Sequence, residues 1–306
     1  TGGMLPEGAN AVIMIEHTQQ ARQGEIELLQ AVAVGENVLD VGEDVQAGQG
    51  VIPAGVTIRP AEVGGMMALG VTEVEVARKP LVGILSSGDE VIPPDAEIMP
   101  GQVRDINSYT LQALVRQAGG EAVLYGIAPD RMEGMAEMVA KAHRDCDLVV
   151  VTAGSSASVR DLTARVIDEL GTPGVLVHGV NVRPGKPTIL GVCDGKPVIG
   201  LPGNPVSALV IADLFVTPII EQMLGKTGRS RPEGQEATLK VNLSSQAGRE
   251  DWVAVALIEE NGEWIADPVF GKSNLIFTLV RADGLVRIPA DANGLAAGSR
   301  VRVQPL

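Results

Sequence analysis

In the middle of the chain, carboxylates follow apolar runs. The run at 81–85 leads into SSGDE, with Gly88, Asp89 and Glu90. The run at 122–127 leads into APD, ending in Asp130. The run at 148–152 leads into AGSSASVRD, with Gly154, Ser155, Ser156 and Asp161. The run at 198–201 meets Pro202-Gly203-Asn204-Pro205, and RPGKPT before it supplies Arg183 and Lys186. Turns of this kind ahead of a helix present backbone N–H groups, and helix starts favour anions. Carboxylates beside an anion cradle would repel a phosphate. A bridging divalent cation, most simply Mg²⁺ held by few carboxylates and by phosphate oxygens, resolves the conflict. This chemistry is phosphate binding with a metal, and it does not name a substrate. Singly, each piece has a plainer reading: Asp130 and Asp161 as helix N-caps, Asp89-Glu90 as a solvated loop, Lys186 as a surface lysine.

The elements around these residues place them on one rim. Between 80 and 226, apolar runs alternate with helical patterns at 108–117, 131–142, 162–170 and 206–224. Such alternation predicts a mostly parallel sheet with helices on both faces, a three-layer α/β domain. The runs are continuously apolar, as in strands buried on both sides. Ligands of open parallel sheets bind outside the carboxyl ends of the strands, where all these residues fall. Residues 1–79 read as a β-rich unit, with strand-like runs at 11–15, 25–34 and 50–58 and a helix at 60–69. Residues 232–306 read as a small β-barrel, joined through a linker at 225–234.

Composition bounds the function. The 306 residues are 45% apolar, only 2% aromatic, and carry a net charge of −14. That charge argues against a general nucleic-acid binder, which needs a basic face. No apolar run is read as long enough for a membrane span. Cys146 and Cys193 form no CxxC pair and fit a reduced, cytoplasmic protein, and His17, His143 and His178 lack metal-ligand spacing. No GxGxxG joins a strand to a helix, against a nicotinamide dehydrogenase. The chain opens without methionine inside TGGMLPEGA, so a further N-terminal part is expected.

TGGMLPEGANAVIMIE, VGEDVQAGQ, ILSSGDE, GSSASVRD, RPGKPT and GLPGNPVSA occur in this order across almost the whole chain. Together they resemble the MoeA/gephyrin E-domain family of molybdopterin molybdenumtransferases. The resemblance implies molybdenum insertion into adenylylated molybdopterin, with molybdate and a divalent cation, and release of AMP. It also implies an elongated homodimer and contacts with the adenylyltransferase that makes the substrate and with acceptor molybdoenzymes. By resemblance, Asp89, Glu90, Asp161 and Lys186 are catalytic. Asp44, Glu90, Asp130 and Asp161 hold the metal. Thr1, Gly88, Asp130, Gly154, Ser155, Ser156, Arg183, Pro202, Gly203, Asn204, Pro205 and Ser273 bind substrate.

The chain departs from the family at two places. Ala153-Gly154-Ser155-Ser156-Ala157-Ser158 replaces a loop with two more glycines, and Arg183 replaces a common lysine, keeping charge but changing geometry. The loop departure leaves open a non-catalytic carrier of molybdopterin or finished cofactor. An interaction scaffold is a further alternative, weakened by the scarcity of aromatic residues.

Overall fold

The computed structural model describes residues 2–153, 157–227 and 234–306, with 157–160 described by backbone alone. The chain forms two compact units, 1–54 and 55–306. The first carries one hairpin, β1 (Thr18–Arg22) against β2 (Glu25–Leu28). The runs at 11–15 and 50–58, expected as strands, form no ladder. Their apolar residues remain open to solvent, Ile15 at 80% exposure. A strand needs both a pairing edge and a buried face, and these runs, in which no residue is fully buried, have neither.

The second unit opens with α1 (Pro60–Ala68). Next come β3 (Leu81–Ser87), the short parallel pair β4 (Val91–Ile92) and β5 (Val103–Arg104), and α2 (Asn107–Ala118). β6 (Glu121–Ala128), α3 (Met132–Asp145), β7 (Leu148–Ala153), α4 (Ala157–Leu170), β8 (Pro173–His178), β9 (Val182–Arg183), β10 (Ile189–Cys193) and β11 (Lys196–Pro202) follow. The sheet order is β6-β3-β7-β11-β10-β8. The first four strands are mutually parallel, while β10 runs antiparallel to both β11 and β8. The strands at 173–178 and 189–193 were absent from the sequence expectation. The signal was present: Asp194-Gly195 both take positive φ in the two-residue β10–β11 turn, the geometry that Asp-Gly favours.

Helices cover both faces. On one, Leu111 and Val115 of α2 join Ile211 and Ile220 against Val82, Ile84, Val150 and Ile199. On the other, Met135 and Val139 of α3 and Ile167 of α4 meet Val149, Val151 and Val198. One continuous helix follows β11: α5 (Pro205–Ile211), a π-helical turn (Ala212–Val216) and α6 (Thr217–Met223). Pro218 lacks an N–H, and the wider turn before it accommodates the lost hydrogen bond. Contrary to the sequence reading, this 19-residue helix contains a window of mean hydropathy 1.6, long and apolar enough by composition to cross a membrane. Its apolarity serves the sheet: Ala208, Val210, Ile211, Val216 and Ile220 are fully buried in this fold.

The C-terminal segment holds β12 (Gln235–Leu239), β13 (Leu243–Ser244), β14 (Glu250–Glu260), β15 (Glu263–Pro268), α7 (Phe277–Val280), β16 (Gly284–Ile288), β17 (Gly294–Leu295) and β18 (Arg300–Gln304). Pairing runs β15-β12-β18-β16-β14, and β14 also pairs with β15, so five strands close a barrel. Ala237, Leu239, Val255, Ala266, Val286 and Ile288 fill it. β9 adds in parallel to β14, pairing Arg183 with Asp251. The mixed α/β fold with a barrel is as expected.

Candidate active site

β3 and β6 are parallel neighbours in register Ser87 to Ala128, so the loops that follow them meet. The Asp89 N–H donates to Asp130 Oδ2 at 3.4 Å, and the Asp130 N–H donates to Asp89 Oδ1 at 3.2 Å. Gly88 sits at φ +141°, and a Cβ there would lie 2.7 Å from Val91 Cγ2 and 3.0 Å from Glu90 Oε2. The loop thus needs glycine both for its backbone and for the Glu90 carboxylate folded over it. Burial pushes the Asp130 carboxyl above its ordinary value. The Asp89 N–H opposes this, and the charges of Asp89 and Glu90 add to it. Asp130 Oδ1 is buried without a hydrogen-bond partner.

Beneath these loops lies a buried polar layer that sequence reasoning missed. The Ser86 hydroxyl donates to Asp105 Oδ1 at 2.8 Å, Thr152 donates to Ser86 at 3.1 Å, and the Ser108 N–H reaches Asp105 Oδ1 at 3.1 Å. The network ties the ends of β3 and β7 to the start of α2. Its only sequence signal was polar residues closing apolar runs.

The second group faces a cleft of about 1240 Å³ between sheet and barrel. Arg183, Lys186, Pro202, Asn204 and Ser273 line it. Asn204 Nδ2 donates to Ser273 Oγ at 3.1 Å, and the Val206 N–H donates to Ser273 O at 3.0 Å. One of the first backbone donors of α5 is therefore taken by the barrel rather than free for an anion. Gly203 O accepts from Asn107 Nδ2 at 2.8 Å, and Pro205 begins α5. Gly185, at φ +123°, packs so tightly on α5 that a Cβ would lie 2.2 Å from Ile211 Cγ1. This close approach sets where Lys186, exposed beside it, projects. Arg249 and Lys272 add two cations that the sequence did not single out. Buried Asp251 pairs with Arg249 at 2.9 Å and Arg183 at 3.5 Å. Lys272 was legible only as the neighbour of Ser273, and Arg249 becomes visible only through the β9–β14 pairing.

The structure therefore places Gly88, Asp89, Glu90 and Asp130 at one loop pair and Arg183, Lys186, Pro202, Asn204 and Ser273 along the cleft, with Gly203 and Pro205 in the turn beside it. Asp161 is exposed on α4. Asp44 is exposed in the first unit. Thr1, Gly154, Ser155 and Ser156 lie outside the described residues. Among the described residues, no three His, Cys, Asp or Glu side chains converge as a metal cage.

Residues 83–222 match a family model described as a probable molybdopterin binding domain. Residues 1–70 match the MoeA N-terminal region (domain I and II), and 236–306 the MoeA C-terminal region (domain IV). The chain belongs to the MoeA family. It is 31% identical over 307 residues to the molybdopterin molybdenumtransferase of Haemophilus influenzae, covering all of this chain and 76% of that protein. Molybdopterin molybdenumtransferase 2 of Mycobacterium tuberculosis is 32% identical, with the same coverage. The crystal structure of the molybdopterin biosynthesis MoeA protein from Pyrococcus horikoshii superposes with a TM-score of 0.83, at 33% identity, over 100% of this chain and 74% of that one. The chain is thus a member of an enzyme family acting in molybdenum-cofactor biosynthesis, and the MoeA fold accounts for its sheet and barrel.

Proposed function

We propose that this protein inserts molybdenum into adenylylated molybdopterin and releases AMP. The observation that carries the reading is the cleft whose lining brings Arg183, Lys186, Arg249 and Lys272 together with Asn204 and Ser273. A protein of net charge −14 there reverses its sign locally, as an anionic substrate requires. Cleaving a phosphoanhydride needs positioning and charge neutralisation more than a protein nucleophile. Lys186 and Arg183 neutralise oxyanions, and Asn204, held by Ser273, orients them.

Mg²⁺ belongs to the same proposal, with Asp130 and Glu90 as its holders. The buried, unpartnered Asp130 Oδ1 fits a cation, and Mg²⁺ characteristically takes only one or two carboxylates. When bound it would neutralise phosphate oxygens. Asp89 holds Asp130 in place through the reciprocal backbone contacts. Asp161, Asp44, Thr1 and the 154–156 turn complete the assignment by resemblance. The proposal also carries a homodimer, exchange with the adenylyltransferase and with acceptor molybdoenzymes, and a cytoplasmic setting. Two buried free cysteines suit that reducing compartment.

The test supplies adenylylated molybdopterin, Mg²⁺ and molybdate and follows AMP by chromatography. Molybdate-dependent AMP release is expected. Lys186→Ala should lower it at least about tenfold, the scale of losing one preorganised charge donor, with an unchanged melting temperature because the lysine is exposed. Tight substrate binding without AMP release would instead establish the carrier reading, which the altered loop at 153–158 favours.

A further inference from the structure

The cleft carries an aromatic side chain that has no part in the proposed charge neutralisation. Two aromatic residues line it, Trp252 and Phe270. Trp252 is 7% exposed and donates its Nε1–H to Glu250 Oε1 at 2.8 Å, so it is part of the wall. Phe270 is 69% exposed. Phe277 of α7 is equally exposed but does not line the cleft, so what sets Phe270 apart is its place among the cleft residues.

The segment that presents it is pinned on both sides. The Val269 N–H donates to Ala254 O at 2.8 Å, and Ser273 accepts from both Asn204 and Val206. Gly271 lies so close to α7 that a Cβ would stand 2.1 Å from Thr278 Cγ2. Phe270 is therefore held at the cleft by a fixed backbone, with Lys272 two residues on and Arg183 and Arg249 on the same cleft. An exposed ring beside converging cations matches a ligand with a planar heterocycle at one end and an anionic group at the other. Stacking on such a ring tolerates any flat π-face.

We propose that Phe270 is a substrate-binding residue whose ring stacks on the fused heterocycle of an anionic ligand held by the cleft cations. The inference rests on the proposed function, whose substrate contains two such rings, adenine and pterin. It adds the surface that would recognise either.

The probes are AMP and pterin-6-carboxylate, with ribose 5-phosphate as the ring-free control, titrated by calorimetry into the wild-type protein, Phe270→Ala and Phe270→Trp. Phe270→Ala should weaken at least one ring probe about fivefold or more and leave ribose 5-phosphate unchanged, and Phe270→Trp should restore binding. The probe that responds identifies which ring stacks there. Equal binding of both ring probes to wild type and Phe270→Ala overturns the proposal, as does an equal loss for ribose 5-phosphate. No binding of either ring probe to wild type also overturns it. In each case, molybdate-dependent AMP release decides the catalytic reading separately.

Discussion

At the scale of single residues, the buried carboxyl of Asp130 works against stability. Its folded carboxyl titrates above its unfolded value, chiefly because it is buried. A raised carboxyl favours the protonated form, so the stability it contributes is present at low pH and lost as pH rises through the folded value. At neutral pH the ionised group is therefore a net cost. Asp130→Asn should raise the melting temperature near pH 7, lose that gain below about pH 4, and lower AMP release. Melting curves across that range check the sign. A variant less stable at neutral pH would show that the contacts to Asp89 outweigh the burial. Asp89, Glu90 and Asp130 were legible as neighbours because parallel strands carry their trailing residues to one rim. Asp251 was not, because no local pattern marks the pairing of β9 with β14 that brings Arg183 to it.

At the scale of elements, the RPGKPT turn depends on its contact with α5. Gly185 combines a positive φ with no room for a methyl group beside Ile211. Gly185→Ala should destabilise the fold by about 2 kcal/mol or more, read from urea unfolding, and should weaken substrate binding by displacing Lys186. Unfolding midpoints equal to wild type would mean that the turn can relax. The helices at 107–118, 132–145 and 157–170 were recognisable from their periodicity. The antiparallel β10, which follows β8 and β9 without an intervening helix, was hidden by an expectation of strict β–α alternation. The N-terminal runs show the converse failure: β-forming composition without an edge to pair with does not make a strand.

At the scale of the whole molecule, the cleft exists because barrel and sheet are held together. Val206 and Val210 of α5 pack with Trp252, Leu279 and Leu285 of the C-terminal segment in one apolar cluster. We read 80–226 and 232–306 as separate domains that this cluster makes cooperative. Trp252→Ala should cost about 3–5 kcal/mol, and calorimetry should then resolve two transitions where wild type has one. A single, merely lowered transition would mean that the domains stay coupled through β9 and the Ser273 contacts. Low salt should strengthen binding of anionic probes in the cleft, since Lys186 and Lys272 stand at a solvent-open surface.

What the sequence determined by itself is local or periodic. Continuous apolar runs alternating with amphipathic helices require a sheet buried on both faces, and parallel strands in that sheet carry their trailing loops to one edge. Gly88, Gly185 and the Pro202–Pro205 turn are written for backbone geometries that few other residues allow. Tertiary structure alone decided how β9 crosses to the barrel, how Ser273 clamps Asn204, and how Arg249 and Lys272 come to share one cleft with Arg183 and Lys186. Such convergence depends on long-range pairing and packing. These act between residues far apart in sequence and leave no period or motif in it.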